Sequence, residues 1–425
     1  MLKFPQKIII FLFFSYSSYL YSADMRFNVG SAISHYNNVN LEVSPDSDEV
    51  LTSVFGGIKL TEDNASFTSR LDAQIRVLNY RNNIVNDESN ADIISDNLWR
   101  IKPNVFEWYV GDTFTQTAID SLSNDAPTNR QNVNIFSTGP NYIIRINSTN
   151  NLRLESRVED FSYEEAADSN RLLLAARWIY DLNSSTKITA NDEAITTRFE
   201  GNEFSDYNRN DVYIGIDYLR GLNTFNAEYG YTRIDNKDTT DFNGARYLIS
   251  ITNARTKTSS IRFIYENILT DTGTRLLEGI ADNTVNNIIN NTSENDIFVE
   301  NLFRVRYMKD LSDGAVSLEL GVTDRDYKLQ SNLDEKEEVA SINGIWNLKR
   351  TNKIKYDVSY VNTMYQDPAI NRVDKDYEYS LSYLHEFMRN INFNIEVISR
   401  ERISTIENEA YEDLRFILSL NYTTL

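Results

Sequence analysis

Acid–base or nucleophilic chemistry would have to pass through very few residues, because the 425-residue chain holds two histidines, His35 and His385, and no cysteine. A Ser–His pair needs the imidazole within reach of a serine and oriented by an acid or amide. His35 stands in Ser34-His35-Tyr36-Asn37 with no partner legible in the sequence, and His385 lies between Tyr383 and Phe387, the pattern of an interfacial aromatic position. No two histidines stand at metal-ligand spacing, and a chain without cysteine makes neither a thiolate site nor a disulfide. The acidic runs Asp235-Asn236-Lys237-Asp238 and Asp334-Glu335-Lys336-Glu337-Glu338 lack the fixed ligand spacing of an EF-hand, so they read as solvated loops in preference to divalent-cation sites. No catalytic residue, cofactor or metal is expected, and a hydrolase or acyltransferase ranks last among the functions considered.

The sequence is richer in charge placed at every second position. Arg153, Glu155, Arg157 and Glu159 alternate along one stretch, and Arg171, Arg177, Arg262, Glu266, Arg304 and Arg306 hold equivalent positions elsewhere. These ten residues are the candidate pore-lining or selectivity groups: in an aqueous passage they set the field that selects solutes, and in a filled one they pair with one another. Lys355 and Arg415 extend the cationic set, and Asp217, Glu228, Glu300, Asp357, Glu378 and Glu396 extend the acidic one, so this face is mixed in charge and the acidic excess is assigned to the loops.

The element that presents such a ladder is a β-strand, whose side chains alternate between two faces. The opposite face is apolar: Leu152/Leu154/Val158, Leu172/Leu174/Ala176/Trp178/Tyr180, Val212/Ile214/Ile216/Tyr218, Ile261/Phe263/Tyr265, Val316/Leu318/Leu320/Val322, Tyr377/Tyr379/Leu381/Tyr383, Ile391/Phe393/Ile395/Val397 and Leu414/Phe416/Leu418/Leu420/Tyr422. An apolar, aromatic-edged outside and a polar inside define a transmembrane antiparallel up-and-down β-barrel, and its aromatics suit the membrane interfaces. The expected architecture is one all-β domain over residues 24–425 with about 20 strands, range 16–22. Tight connections such as Asn183-Ser184-Ser185, Arg220–Asn223, Leu311–Gly314, Lys349–Asn352 and Arg389-Asn390 alternate with longer ones at Ser121–Asn132, Glu200–Asn210, Asp235–Asn243, Thr270–Asn295, Gln330–Glu338, Gln366–Lys375 and Arg402–Glu409. In an outer-membrane barrel the short turns face the periplasm and the long loops face outside.

Residues 1–23 read as a secretory signal peptide. Lys3 and Lys7 precede the apolar run Ile8–Phe14, and cleavage is expected near Ala23. That run is too short to span a bilayer as a helix, and no later segment comes near the required length. Cleavage takes two lysines from a chain of formal charge −20, leaving −22. So acidic a chain repels nucleic acid. The expected surroundings are outer-membrane lipid and lipopolysaccharide, with surface polysaccharide as a further partner; the oligomeric state is not legible.

The alternation is interrupted once. The chain reads Phe106-Glu107-Trp108-Tyr109-Val110-Gly111-Asp112-Thr113-Phe114, then Pro127-Thr128-Asn129-Arg130-Gln131-Asn132-Val133-Asn134 and Phe136-Ser137-Thr138-Gly139-Pro140, followed by Arg157, Asp160, Phe161, Tyr163-Glu164, Asp168 and Arg171. This stretch resembles the outer-membrane β-barrel family associated with the PEP-CTERM/exosortase system, the β-barrel porins of exopolysaccharide loci. The resemblance implies an outer-membrane barrel tied to surface polysaccharide or protein sorting, with no catalytic residue carried over. From the residues themselves, Pro127–Pro140 reads as a loop folding inward, with Asn129, Arg130, Gln131, Asn132 and Asn134 pinning it to the wall or contacting sugar hydroxyls. An ordered structural loop with internal bonds is preferred over ligand contact because buried polar groups must be satisfied in any case. Gly139-Pro140 is expected to shape a strand entry.

The functional expectation is therefore a non-enzymatic, porin-like channel for passage or export of solutes, with saccharide as the class implied by the resemblance. The alternative is a structural or adhesion barrel acting through its long acidic loops.

Overall fold

The computed structural model describes residues 23–43, 47–201, 206–237, 240–281, 296–367 and 371–424. Residues 1–22 of the expected signal peptide (residues 1–23) and Asp238 lie outside them. The chain forms β1 (Asp24–Tyr36), β2 (Glu49–Asp63), β3 (Phe67–Tyr80), β4 (Glu88–Lys102), β5 (Phe106–Ala118), β6 (Arg130–Arg145) and β7 (Asn150–Tyr163). It continues through β8 (Ser169–Asn183), β9 (Thr186–Phe199), β10 (Tyr207–Arg220), β11 (Asn223–Asn236), β12 (Phe242–Thr256) and β13 (Ser259–Asp271). A helix, α1 (Thr272–Ala281), precedes β14 (Ile297–Leu311), β15 (Gly314–Tyr327), β16 (Glu335–Lys349), β17 (Asn352–Tyr365), β18 (Val373–Met388), β19 (Ile391–Ser404) and β20 (Tyr411–Thr423). Each strand pairs antiparallel with the next, and β20 returns to β1 with Tyr36 opposite Arg415 and Asn28 opposite Thr423. The sheet is thus a closed 20-stranded barrel with no free edge.

Closure satisfies the ladder hydrogen bonds without solvent, and alternation then sorts side chains by face. Phe27, Val29, Ile33, Val54, Ile75, Val212, Ile214, Leu318, Leu320 and Leu418 are exposed on the outside. In a water-soluble protein such a continuous apolar belt would be a severe liability; against lipid it is the stabilising surface. The belt has aromatic edges near the short turns, with Phe67 stacked on Trp99, Trp178 on Tyr180, and His385 edge-on to Phe387. No helix among the described residues is long and apolar enough to cross a membrane.

Connections of two to four residues join β2–β3, β4–β5 and so on around one end, where β1 starts and β20 ends; longer connections gather at the other. The strands are longer at that far end than the sequence suggested. Arg130–Asn132, Tyr207–Asn210, Thr270-Asp271, Glu335–Glu338, Val373–Lys375 and Arg402–Ser404, all assigned above to loops, are strand. The physical reason is that strands project past the apolar belt. Both faces are polar there, so hydropathic alternation fades while the hydrogen-bonded ladder continues.

Candidate permeation pathway

The loop-end half of the barrel interior is filled from two sides. On one side α1 turns inward from β13. Leu276 packs with Val133, Ile135 and Phe161 on β6 and β7, with Ile94 of β4 and Tyr163 of β7 beside them. The Arg275 guanidinium lies 2.7 Å from Glu300, 2.5 Å from Glu278 and against Glu266. Burial alone would depress the Arg275 pKa, but these three carboxylates hold it well above its ordinary value. One helix can reach strands so far apart only through the lumen, which fixes the inward face. Beneath α1, Asp271 is 2.9 Å from Arg209 and 3.6 Å from Arg171, and Arg209 also holds Asp211 at 2.8 Å. Arg171 donates to Thr274 Oγ1 at 2.9 Å and lies 3.7 Å from Glu159. This buried chain of charges fastens α1 to the wall.

On the other side, the connection between β5 and β6 crosses the lumen. Leu122 packs with Phe298, Tyr327 and Leu333. The Leu122 carbonyl accepts from Arg372 Nη1 at 2.6 Å, Asn124 Oδ1 accepts from Arg402 Nη1 at 2.7 Å, and Asn124 Nδ2 donates to the Leu41 carbonyl at 2.9 Å. The loop is held in shape by Asn129, which donates to the Asp120 and Asn124 carbonyls, and by Arg130, whose Nε meets Asp125 at 2.9 Å.

An inward loop thus exists, but it spans residues 119–129 and shares only Pro127–Asn129 with the one expected. Of Pro127–Pro140, the part from Arg130 onward is β6, and only Pro127–Asn129 is a 3-10 turn. Gln131 is buried on the inner face, donating to the Ala118 carbonyl and accepting from the amides of Glu165 and Ala166. Asn132 and Asn134 fall on the outer face, and Asn132 binds Glu164 at 2.8 Å. The Asn-rich sequence hid the strand because polar residues occupy both faces. Asn129 bonds within the 119–129 loop, Arg130 joins the loop to the start of β6, and Gln131 bonds the end of β5 and the β7–β8 connection. Gly139-Pro140 sits within β6, not at its entry. The β6–β7 register passes from Thr138↔Val158 to Asn141↔Glu155. Proline has no N–H for that ladder, and a Cβ on Gly139 would meet the Ser156 carbonyl at 1.9 Å.

All ten charged residues singled out above face inward. Arg153 pairs with Glu155 at 2.5 Å, and Arg177 reaches Asn191 at 2.7 Å and Glu193 at 3.5 Å. Arg157 donates to Asn141 at 2.6 Å and stacks 4.9 Å over Tyr109. Arg304 meets Glu319 at 3.2 Å, and Arg306 Nε meets the same carboxylate at 2.5 Å. Arg262 lies directly opposite Arg306 in the β13–β14 register. Arg171, Glu159 and Glu266 belong to the α1 attachment, so their work is to fasten the helix. The residues missed from the sequence are Arg209, Asp211, Asp271, Arg275, Arg325, Arg372 and Arg402; all but Arg372 and Arg402 stand around α1, and those two hold the 119–129 loop. Of the supposed acidic loop, Glu335 is an inward strand residue paired with Arg325 at 2.5 Å, and Lys336 pairs with Glu338 at 3.4 Å. Among the described residues no cluster of three metal-ligating side chains occurs. His35 has the partner the sequence did not show, Asp48 at 2.8 Å, on the outer face.

Toward the short-turn end the inner wall opens into a cavity of about 710 Å³, lined on its inward positions by Ser317, Asn343, Asp357, Ser380, Asn394 and Glu396 among others.

No family model matches the chain. No curated protein matches it either. Among solved structures it is similar to the outer membrane protein OpdK from Pseudomonas aeruginosa, with TM-score 0.43 and 11% identity over 94% of this chain and 99% of that one. It is also similar to OccK3 (OpdO) of the same organism, with TM-score 0.41 and 9% identity over 94% and 96% of the two chains. A third is OmpT, an outer membrane protein of Vibrio cholerae, with TM-score 0.37 and 11% identity over 95% and 97%.

Proposed function

We propose that this chain is a porin-like channel of the outer membrane, and that saccharide material linked to exopolysaccharide or exosortase systems is what passes. The observation that carries the channel reading is the combination of a closed barrel, an apolar outer belt and a charged inner wall narrowed by α1 and the 119–129 loop above a polar cavity. A barrel of this strand number is wide enough for an aqueous interior, and inward loops then set its width. The saccharide class is supported by the resemblance of residues 106–171 and by the hydroxyl, amide and carboxylate lining of the cavity, which suits polyols. The outer-membrane setting is supported by the belt and by the connection asymmetry, with short turns toward the periplasm. Purified protein in planar bilayers should give stable conductance steps. A folded barrel that inserts and remains silent would overturn the reading.

A further inference from the structure

Most inward arginines have a carboxylate of their own. Arg153 and Arg177 oppose each other across β7 and β8, yet Glu155, Glu107 and Glu193 surround them. The β13–β15 wall differs. Arg262 and Arg306 are direct cross-strand neighbours, Arg304 lies one inward position farther along β14, and Glu319 is the carboxylate that serves Arg304 and Arg306. Arg262 is exposed to the lumen, with Ser250 Oγ at 3.4 Å and no carboxylate partner among the described residues. Like charges directly opposed across a ladder destabilise it. With Glu319 shared by Arg304 and Arg306, Arg262 is the guanidinium of this wall left without a carboxylate on a surface that faces the lumen.

The position adds chemical content. One inward step from Arg306 and Glu319 toward the short turns lie Met308 and Ser317, where the 710 Å³ cavity begins. Beyond them Asn343, Asp357, Ser380 and Glu396 continue the lining across β16–β19. The geometry points to a binding subsite for a carboxylate-bearing oligosaccharide, its acid group held by Arg262, Arg304 and Arg306 and its hydroxyls by the cavity, at the short-turn mouth. Guanidinium forks match a carboxylate in two parallel bonds. Asp357 and Glu396 accept hydroxyl donors, and Lys355 in the same lining meets an acid group on a further sugar unit. This inference rests on the passage reading and names the class of solute and the end at which it docks.

The test is calorimetric binding to the purified full chain in detergent, using oligogalacturonate and a maltooligosaccharide of equal length, alongside bilayer conductance. Oligogalacturonate should bind. Arg262→Gln should weaken it about tenfold, the loss expected for one charge-assisted contact. Glu319→Gln should tighten it by freeing two guanidiniums, and Arg262→Lys should fall between wild type and Arg262→Gln. The opposite signs of the two Gln variants separate recognition from a general folding defect. Equal binding of the neutral oligosaccharide, displacement by inorganic phosphate at equal concentration, or indifference of oligogalacturonate to both Gln variants would overturn the inference. Binding with this pattern in a silent barrel would remove the passage reading alone; conductance without charge-dependent binding would remove the subsite alone.

Discussion

Asp271 shows how charge is used in this barrel at the scale of single residues. Its carboxylate is 2% exposed and lies between Arg171 and Arg209, both also buried. A buried ion pair adds little net stability over an apolar equivalent, but removing one member strands the others without compensation. Asp271→Asn is therefore expected to destabilise the barrel by about 3–5 kcal/mol, measured as the shift in urea unfolding of protein folded into lipid vesicles. Arg153→Gln, at a more exposed pair, should cost far less in the same measurement. The Arg153–Glu159 ladder was legible because its neighbours Leu154 and Val158 are apolar, so the two faces separate in the sequence. Asp271, Arg209 and Arg275 were not legible. They sit beyond the belt, where nothing in the local pattern marks inside from outside, and the pairs that tie Asp271 to Arg209 and Arg171 join distant strands.

At the scale of elements, alternation fixed which segments are strands, their number and which face is lipid-facing, as β20 with Leu414, Phe416, Leu418, Leu420 and Tyr422 illustrates. The outward position of Leu418 in the middle of that strand makes a direct test. Leu418→Arg should destabilise by about 2–4 kcal/mol in vesicles, while Ser419→Arg on the inner face should be tolerated. What alternation could not show is where a strand stops, because hydrogen bonding outlasts the belt. It also could not show α1. A single short helix has no partner pattern in the sequence, and its inward course depends on Leu276 meeting Val133, Ile135 and Phe161 from distant strands. The Asn/Arg stretch from Pro127 has a different geometry from the one expected: the inward loop ends at Asn129, and from Arg130 onward the stretch is β6.

At the scale of the whole molecule, the 119–129 loop joins walls that the sheet keeps apart. Arg372 and Arg402 hold it from the β17–β19 side, and the β1–β2 connection holds it through Leu41. Replacing both arginines by alanine should release it, raising single-channel conductance and its noise without loss of the folded barrel; unchanged conductance steps would show that the loop does not define the narrowest point. The same contacts have a consequence for biogenesis. Leu41, Asn124 and Arg402 belong to the first, third and last hairpins on the long-connection side in chain order, and the last of them flanks the seam where β20 meets β1. The crossing loop can take its seat only after the seam has closed. An unfinished barrel is therefore wider than a finished one, and narrowing of the passage is the signature that assembly is complete.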